Sequence, residues 1–191
     1  MKHVGVLALQ GDVREHATTL RKLGVEVHEV RRPTDLNGIE GLVIPGGEST
    51  TISHLLVSSG LRDELKSAFA DGLPVFGTCA GLIVLSASIL DGRTDQWSFG
   101  VLDVTVKRNG YGRQTASFEA PVDVDGIGPV PGVFIRAPRI TEVGAVETLA
   151  SYDHGDGSHP VLIRQVQAWG CSFHPELTAD VRVHELFVNS L

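Results

Sequence analysis

Only two cysteines, Cys79 and Cys171, occur among 191 residues, too few for a disulfide-stapled scaffold. No apolar run approaches the about 20 residues needed to cross a bilayer. Met1, Lys2 and His3 lead into an apolar stretch of only a few residues, too short for the apolar segment of a signal peptide. These features predict a cytoplasmic chain with free thiols and no membrane association. Basic residues are also scarce, 16 against 23 acidic ones, for a formal charge of −7. A nucleic-acid binder needs a basic stripe to neutralise phosphates, and the pair Arg31 and Arg32 is too short to form one. There is no internal repeat, low-complexity tract or evident linker, and residues 1–191 are expected to form one domain. What is present is an ordinary globular balance, 42% apolar and 20% charged.

The first half alternates strand and helix signals. Residues 4–9 read as a buried strand. Asp12 reads as a helix cap, with Glu15 completing a capping box. Val13, Ala17, Leu20 and Leu23 follow at helical spacing until Gly24 stops the helix. Residues 25–30 and 42–44 are the next strands, followed by helices over 50–59 and 61–70, a strand over 73–77 and a helix over 79–88. This order predicts an α/β fold with a mainly parallel central sheet and helices on both faces. In the second half, residues 101–106 and 122–124 alternate apolar and polar, as half-exposed antiparallel strands do. Residues 143–150 and 161–165 are further strands, 168–173 a buried strand returning to the main sheet, and Val183, Leu186, Phe187 and Leu191 mark a final helix.

The chemistry concentrates at Gly77-Thr78-Cys79-Ala80-Gly81, between a strand and an apolar helical run. G-x-C-x-G is the cysteine form of the nucleophile elbow. A nucleophile on so sharp a turn has a strained backbone, and its neighbours must be small. The turn aims the sulfur at the crevice beyond the carboxyl ends of the strands, where the helix start favours the reactive thiolate. Cys171 lies inside an apolar strand pattern and reads as core.

A cysteine hydrolase needs a base held by a third group. Of eight histidines, His174 sits at the end of a buried strand in Phe173-His174-Pro175-Glu176. An extended backbone would carry His174 and Glu176 to one side, with Pro175 stiffening the turn and Glu176 selecting the imidazole tautomer. His16, His28 and His54 lie within helix or strand patterns and read as surface or satisfied residues. The C-x-x-H spacing of Cys171 and His174 lacks a second ligand pair, and no metal is expected. A third rim loop, Pro45-Gly46-Gly47-Glu48-Ser49-Thr50, could turn a backbone N–H toward a developing oxyanion or could be a plain loop capped by Ser49 or Thr50. Gln10 and Gly11 form a fourth.

Together these motifs resemble the class I (triad-type) glutamine amidotransferases. Within that family the chain is similar to the glutaminase subunits of ribose-5-phosphate-dependent pyridoxal 5′-phosphate synthases. The resemblance rests on LQGDVREH at 9–16, PGGESTT at 45–51, GTCAGLI at 77–83, RNGYGRQ at 108–114, SFEA at 117–120, GVFIRAP at 132–138 and GCSFHPELT at 170–178. It implies Cys79 as nucleophile, His174 and Glu176 completing the triad, and an oxyanion hole from the N–H groups of Gly47 and Ala80. It further implies contacts to L-glutamine from Gly47, Glu48, Ser49, Arg108, Ile135 and Arg136. No cofactor is implied. The implied partner is a synthase subunit that takes the ammonia, combines it with ribose 5-phosphate and glyceraldehyde 3-phosphate, and activates the glutaminase on docking.

Three alternatives are weighed against this reading. An elbow-cysteine hydrolase of the PfpI kind often has histidine directly after the cysteine, where Ala80 stands here. The glutaminase of histidine biosynthesis shares the chemistry but not the RNGYGRQ and GVFIRAP stretches. A binding module that kept the fold and lost activity would not react with a glutamine-like electrophile.

Overall fold

The structure is a computed structural model that describes residues 1–111 and 117–191. Residues 112–114 of the RNGYGRQ stretch therefore lie outside the described residues. The first half runs β1 (His3–Leu7), α1 (Val13–Lys22), β2 (Glu26–Val30), β3 (Gly41–Ile44), α2 (Ser49–Ser58), α3 (Leu61–Ala70), β4 (Val75–Thr78) and α4 (Ala80–Leu85). The second half adds β5 (Ser86–Ile89), β6 (Leu102–Lys107), β7 (Phe118–Val124), β8 (Gly128–Phe134), β9 (Arg139–Val143), β10 (Glu147–Asp153), β11 (Ser158–Gln165), β12 (Ala168–Cys171) and α5 (Arg182–Asn189).

The main sheet has the order β10-β11-β12-β4-β3-β1-β2. The five strands from β12 to β2 are parallel, and β11 and β10 extend the sheet antiparallel. Alternate residues of each buried strand serve opposite faces. Val4, Val43, Phe76 and Trp169 pack with Leu20 of α1 and Phe187 of α5 on one side. Leu42, Ile44 and Val75 pack with Ile52 of α2, Leu65 of α3 and Leu82 of α4 on the other. Both faces are covered by helices, which is why these strands are almost uniformly apolar. Smaller sheets, β5-β6-β9 and the β7-β8 hairpin, lie beside this layer.

Parallel pairing places the functional loops. Thr78 is level with Cys171, and Gly77 with both Gly170 and Ile44. The segments leaving β1, β3, β4 and β12 therefore emerge on one rim, as the parallel reading requires. Cys79 leaves the sheet one residue beyond its level and His174 three residues beyond the same level.

Local differences from the sequence reading have physical causes. The stretch 79–88 is not one helix: α4 ends at Leu85, and Ser86 turns extended while its hydroxyl donates to the Ile83 carbonyl at 2.8 Å. The following residues pair parallel with β6, an outcome that an apolar run alone does not distinguish from helix. The stretch 143–150 is not one strand. It breaks at Gly144, whose N–H donates to the Asp103 carbonyl at 2.8 Å, while the Asp103 carboxylate accepts from Ala145 N–H at 2.9 Å. A Cβ at Gly144 would fall on that carboxylate.

The elbow glycines serve close packing. A Cβ on Gly77 would lie 2.5 Å from the Gly81 carbonyl carbon, and one on Gly81 would lie 2.1 Å from the Ile44 carbonyl oxygen of β3. Both contacts are backbone, which cannot yield as a flexible side chain can. Gly81→Ala is expected to destabilise the fold by about 1–3 kcal/mol, read as a lowered urea midpoint with an unchanged slope.

Candidate active site

Cys79 has φ 49° and ψ −104°, a left-handed conformation rare outside glycine. Its strain is held by neighbouring hydrogen bonds: its N–H donates to the Cys171 carbonyl at 2.8 Å, and its carbonyl accepts from Ile83 N–H at 3.2 Å. The side chain lines a cleft of about 300 Å³, with Sγ 3.9 Å from the Ile135 carbonyl oxygen. That size is at the lower end for small-molecule sites. Cys171 is fully buried on the neighbouring strand, with Sγ 3.3 Å from the Phe173 carbonyl. Burial pushes its thiol well above the ordinary value, consistent with the core role read from sequence.

His174 is fixed by its own N–H, which donates to the Val133 carbonyl at 2.8 Å. Its Nδ1 donates to Glu176 Oε1 at 2.7 Å and lies 3.5 Å from Asp12 Oδ2. The local reason differs from the extended backbone expected: Pro175–Leu177 is a 3₁₀ turn that brings Glu176 back beneath the ring. Gly46 covers the imidazole, since a Cβ there would lie 2.4 Å from His174 Cε1. Burial alone would lower the His174 pKa, but hydrogen bonding to Asp12, Cys79 and Glu176 raises it to about 12. Glu176 has no side-chain exposure. Burial would raise its carboxyl, yet His16 and His174 hold it well below the ordinary range.

Asp12 does not form the expected capping box. It precedes α1 without a side-chain cap bond, and its carboxylate faces His174 instead. At α2 the cap is Glu48 rather than Ser49 or Thr50: its carboxylate accepts from Thr50 N–H at 3.2 Å and Thr51 N–H at 2.6 Å. Partial burial opposes ionisation of Glu48, but those donors hold its carboxyl below the ordinary value. The same carboxylate pairs with Arg108 at 2.7 Å, so neither group is the free surface charge that residue type alone suggests. Ser49 is buried, and its Oγ accepts from Gln96 Nε2 at 2.9 Å.

Gly47, Glu48, Ser49, Arg108, Ile135, Arg136, Cys79 and His174 all border the cleft. Arg136 does so from a left-handed backbone at φ 44°. Glu176 lies behind His174, and Ala80 is buried at the start of α4. Gln10, Asn109 and Leu177 also line the cleft, although residue type gave no reason to single out the last two. The Gln10 Oε1 accepts from Glu48 N–H at 2.8 Å and would meet any Cβ on Gly47 at 2.4 Å.

Asp12, His174 and Glu176 bring possible metal-ligand atoms within 4.8 Å of one another. Within this group His174 Nδ1 is already committed to Glu176 at 2.7 Å. On the sheet edge, His3, Glu26 and His28 form another such group, but the two rings stack at 19° and His3 Nδ1 lies 3.0 Å from His28 Nε2, within hydrogen-bond reach.

The order of these loops along the chain is a family signature. The model of the SNO glutamine amidotransferase family matches residues 6–191. The chain belongs to this family. It is 53% identical over 189 residues to the pyridoxal 5′-phosphate synthase subunit PdxT of Streptomyces coelicolor, a match covering 97% of this chain and 92% of that protein. Its identity to the Streptomyces avermitilis protein of the same name is 54% over the same length and coverage. A crystal structure of a glutamine amidotransferase superposes with a TM-score of 0.91 at 49% identity, covering 98% of this chain and 97% of that one. PurLQS from Thermotoga maritima, at 15% identity and a TM-score of 0.73, shares the fold.

The Glu176 environment predicts acid sensitivity with a defined sign. Its folded-state pKa is depressed, so its contribution to stability is present above the ordinary value of 4.5 and is lost as pH falls below it. Thermal unfolding of the wild type should fall through that window, and Glu176→Gln should show a flatter dependence.

Proposed function

We propose that the chain hydrolyses L-glutamine to L-glutamate and ammonia and delivers the ammonia to a synthase subunit that makes pyridoxal 5′-phosphate. Membership of the SNO glutamine amidotransferase family and the names of relatives above 50% identity support this reading. The observation that carries the chemistry is the elbow cysteine sharing a cleft with an imidazole backed by a buried carboxylate.

The steps follow from these groups. The Cys79 thiolate attacks the side-chain amide carbon of glutamine. The N–H groups of Gly47 and Ala80 stabilise the oxyanion of the tetrahedral adduct. His174, oriented by Glu176, protonates the departing ammonia. It then takes a proton from the water that hydrolyses the thioester and releases glutamate. Arg136 offers a guanidinium group for the substrate α-carboxylate, while the Arg108–Glu48 pair borders the same cleft as a further polar contact for glutamine.

Ammonia released into neutral water becomes mostly ammonium, which is not nucleophilic. A docked acceptor keeps it dry. Docking also suits the Gly47 loop. The Gly46 carbonyl accepts from Asp12 N–H at 3.2 Å, and Glu48 N–H is held by Gln10. Turning the peptide between Gly46 and Gly47 toward the cleft exchanges one hydrogen bond, worth about 1 kcal/mol. Contacts from a partner can supply that amount.

Cys79→Ala should abolish glutamine hydrolysis while leaving the thermal unfolding midpoint within a few degrees of wild type. A glutamine-like electrophile should label wild-type Cys79 covalently, and a Cys79→Ala variant with wild-type turnover would refute the scheme. The glutaminase rate should rise when the synthase subunit is added; equal rates with and without it would remove the gating step.

A further inference from the structure

Behind the triad lies a chain of buried polar groups for which the reaction scheme has no use. His16 of α1 and His184 of α5 are both fully buried. His16 Nδ1 is 2.9 Å from His184 Nε2. On its other side, His16 Nε2 is forked between Thr78 Oγ1 at 3.0 Å and Glu176 Oε1 at 3.5 Å. Thr78 immediately precedes the elbow cysteine. Two imidazoles are costly to bury in an apolar layer unless they are hydrogen-bonded, and apolar side chains would fill the space without that penalty.

The two rings share one proton across the 2.9 Å contact, and its placement can be worked out. If His16 Nδ1 carried it, a neutral His16 would aim a lone pair from Nε2 at a carboxylate. His184 would then hold its own N–H on Nδ1, which has no partner among the described residues. If His184 Nε2 carries it, His16 presents N–H to Glu176 and Thr78. The orphan on His184 is then a lone pair, which is less costly to bury unmet than an N–H. The second arrangement satisfies the N–H donors of both rings. Burial lowers the pKa of His184 to about 3, which keeps that ring neutral as the arrangement requires.

We propose that His16 is a positioning residue of the glutaminase: locked in one tautomer by His184, it ties the Glu176 carboxylate to Thr78, and thereby holds His174 in register with the strand that carries Cys79. The inference rests on the reading of Cys79, His174 and Glu176 as a triad. The ionisable groups around Glu176 are His16 from α1, His174 and Cys171 from the β12 segment and, through His174, Asp12 and Cys79. His184 of α5 faces His16 from the opposite side.

The test uses the full chain with its synthase partner and measures kcat, KM and the pH profile of kcat/KM for glutamine. His16→Leu removes the donor at similar volume. It should lower kcat roughly 10- to 100-fold, as loss of an orienting residue does, with KM within about twofold. Because the carboxylate loses a donor, the acid limb of the profile should move to higher pH. His16→Gln, whose amide can accept from His184 and donate to Glu176, should recover most of kcat and restore the limb. A folded His16→Leu variant with wild-type kcat and profile would overturn the inference, as would Leu and Gln variants equally impaired with an unshifted limb. Should His16→Leu fail to fold, His184→Leu is read in the same assay. A several-fold fall in kcat with an upward limb shift supports the inference, and an unchanged profile overturns it. Cys79→Ala is the accompanying control. Its activity would sink the triad and this inference together, whereas an inactive Cys79→Ala beside an unimpaired His16→Leu would sink this inference alone.

Discussion

Parallel pairing of β4 with β3 on one side and β12 on the other is the constraint from which the site follows. It puts the ends of three consecutive strands at one level, so an elbow, a glycine loop and a histidine loop from distant parts of the chain must meet. The pairing in turn depends on glycine. Gly81 and Gly77 let α4 turn back against β3 and β4 at backbone contact, and a single methyl in that space would force Cys79 off its position.

The second determinant is electrostatic. Glu176 is a carboxylate without side-chain exposure, and burial alone would drive it to the neutral form. It stays ionised because imidazoles surround it, and its charge in turn supports a protonated His174. A buried ion pair contributes little net stability and is strongly destabilised when one member is removed. What it does fix is the ring: Nδ1 of His174 is held by Glu176, which leaves Nε2 as the other polar atom.

Much of this was legible in the sequence, and the limits are instructive. Cys79 could be read because the glycines at 77 and 81 and the apolar run beyond them have one common explanation, a tight strand-to-helix turn. His174 could be read because a carboxylate follows it after a proline. The two side chains meet through a 3₁₀ turn rather than the extended backbone that a two-residue spacing suggests. Asp12 reads as a cap because an aspartate before a helix looks the same whether it caps the helix or faces a histidine 162 positions away. Glu48 was hidden by the opposite error, a charged residue that turned out to be the cap. The break at Gly144 is set by Asp103, and the inward face of His16 by α5; neither partner lies within the reach of local periodicity.

The Gly46 backbone that roofs the His174 ring has a consequence beyond sterics. The loop bearing the proposed oxyanion donor is also the lid on the proposed base, so the two cannot be adjusted separately. Any rotation of that loop changes how much water reaches the imidazole, and with it how firmly the ring keeps its proton. A single displacement at residues 46 and 47 would therefore set both the shape of the proposed anion receptor and the acidity of the imidazole beside it.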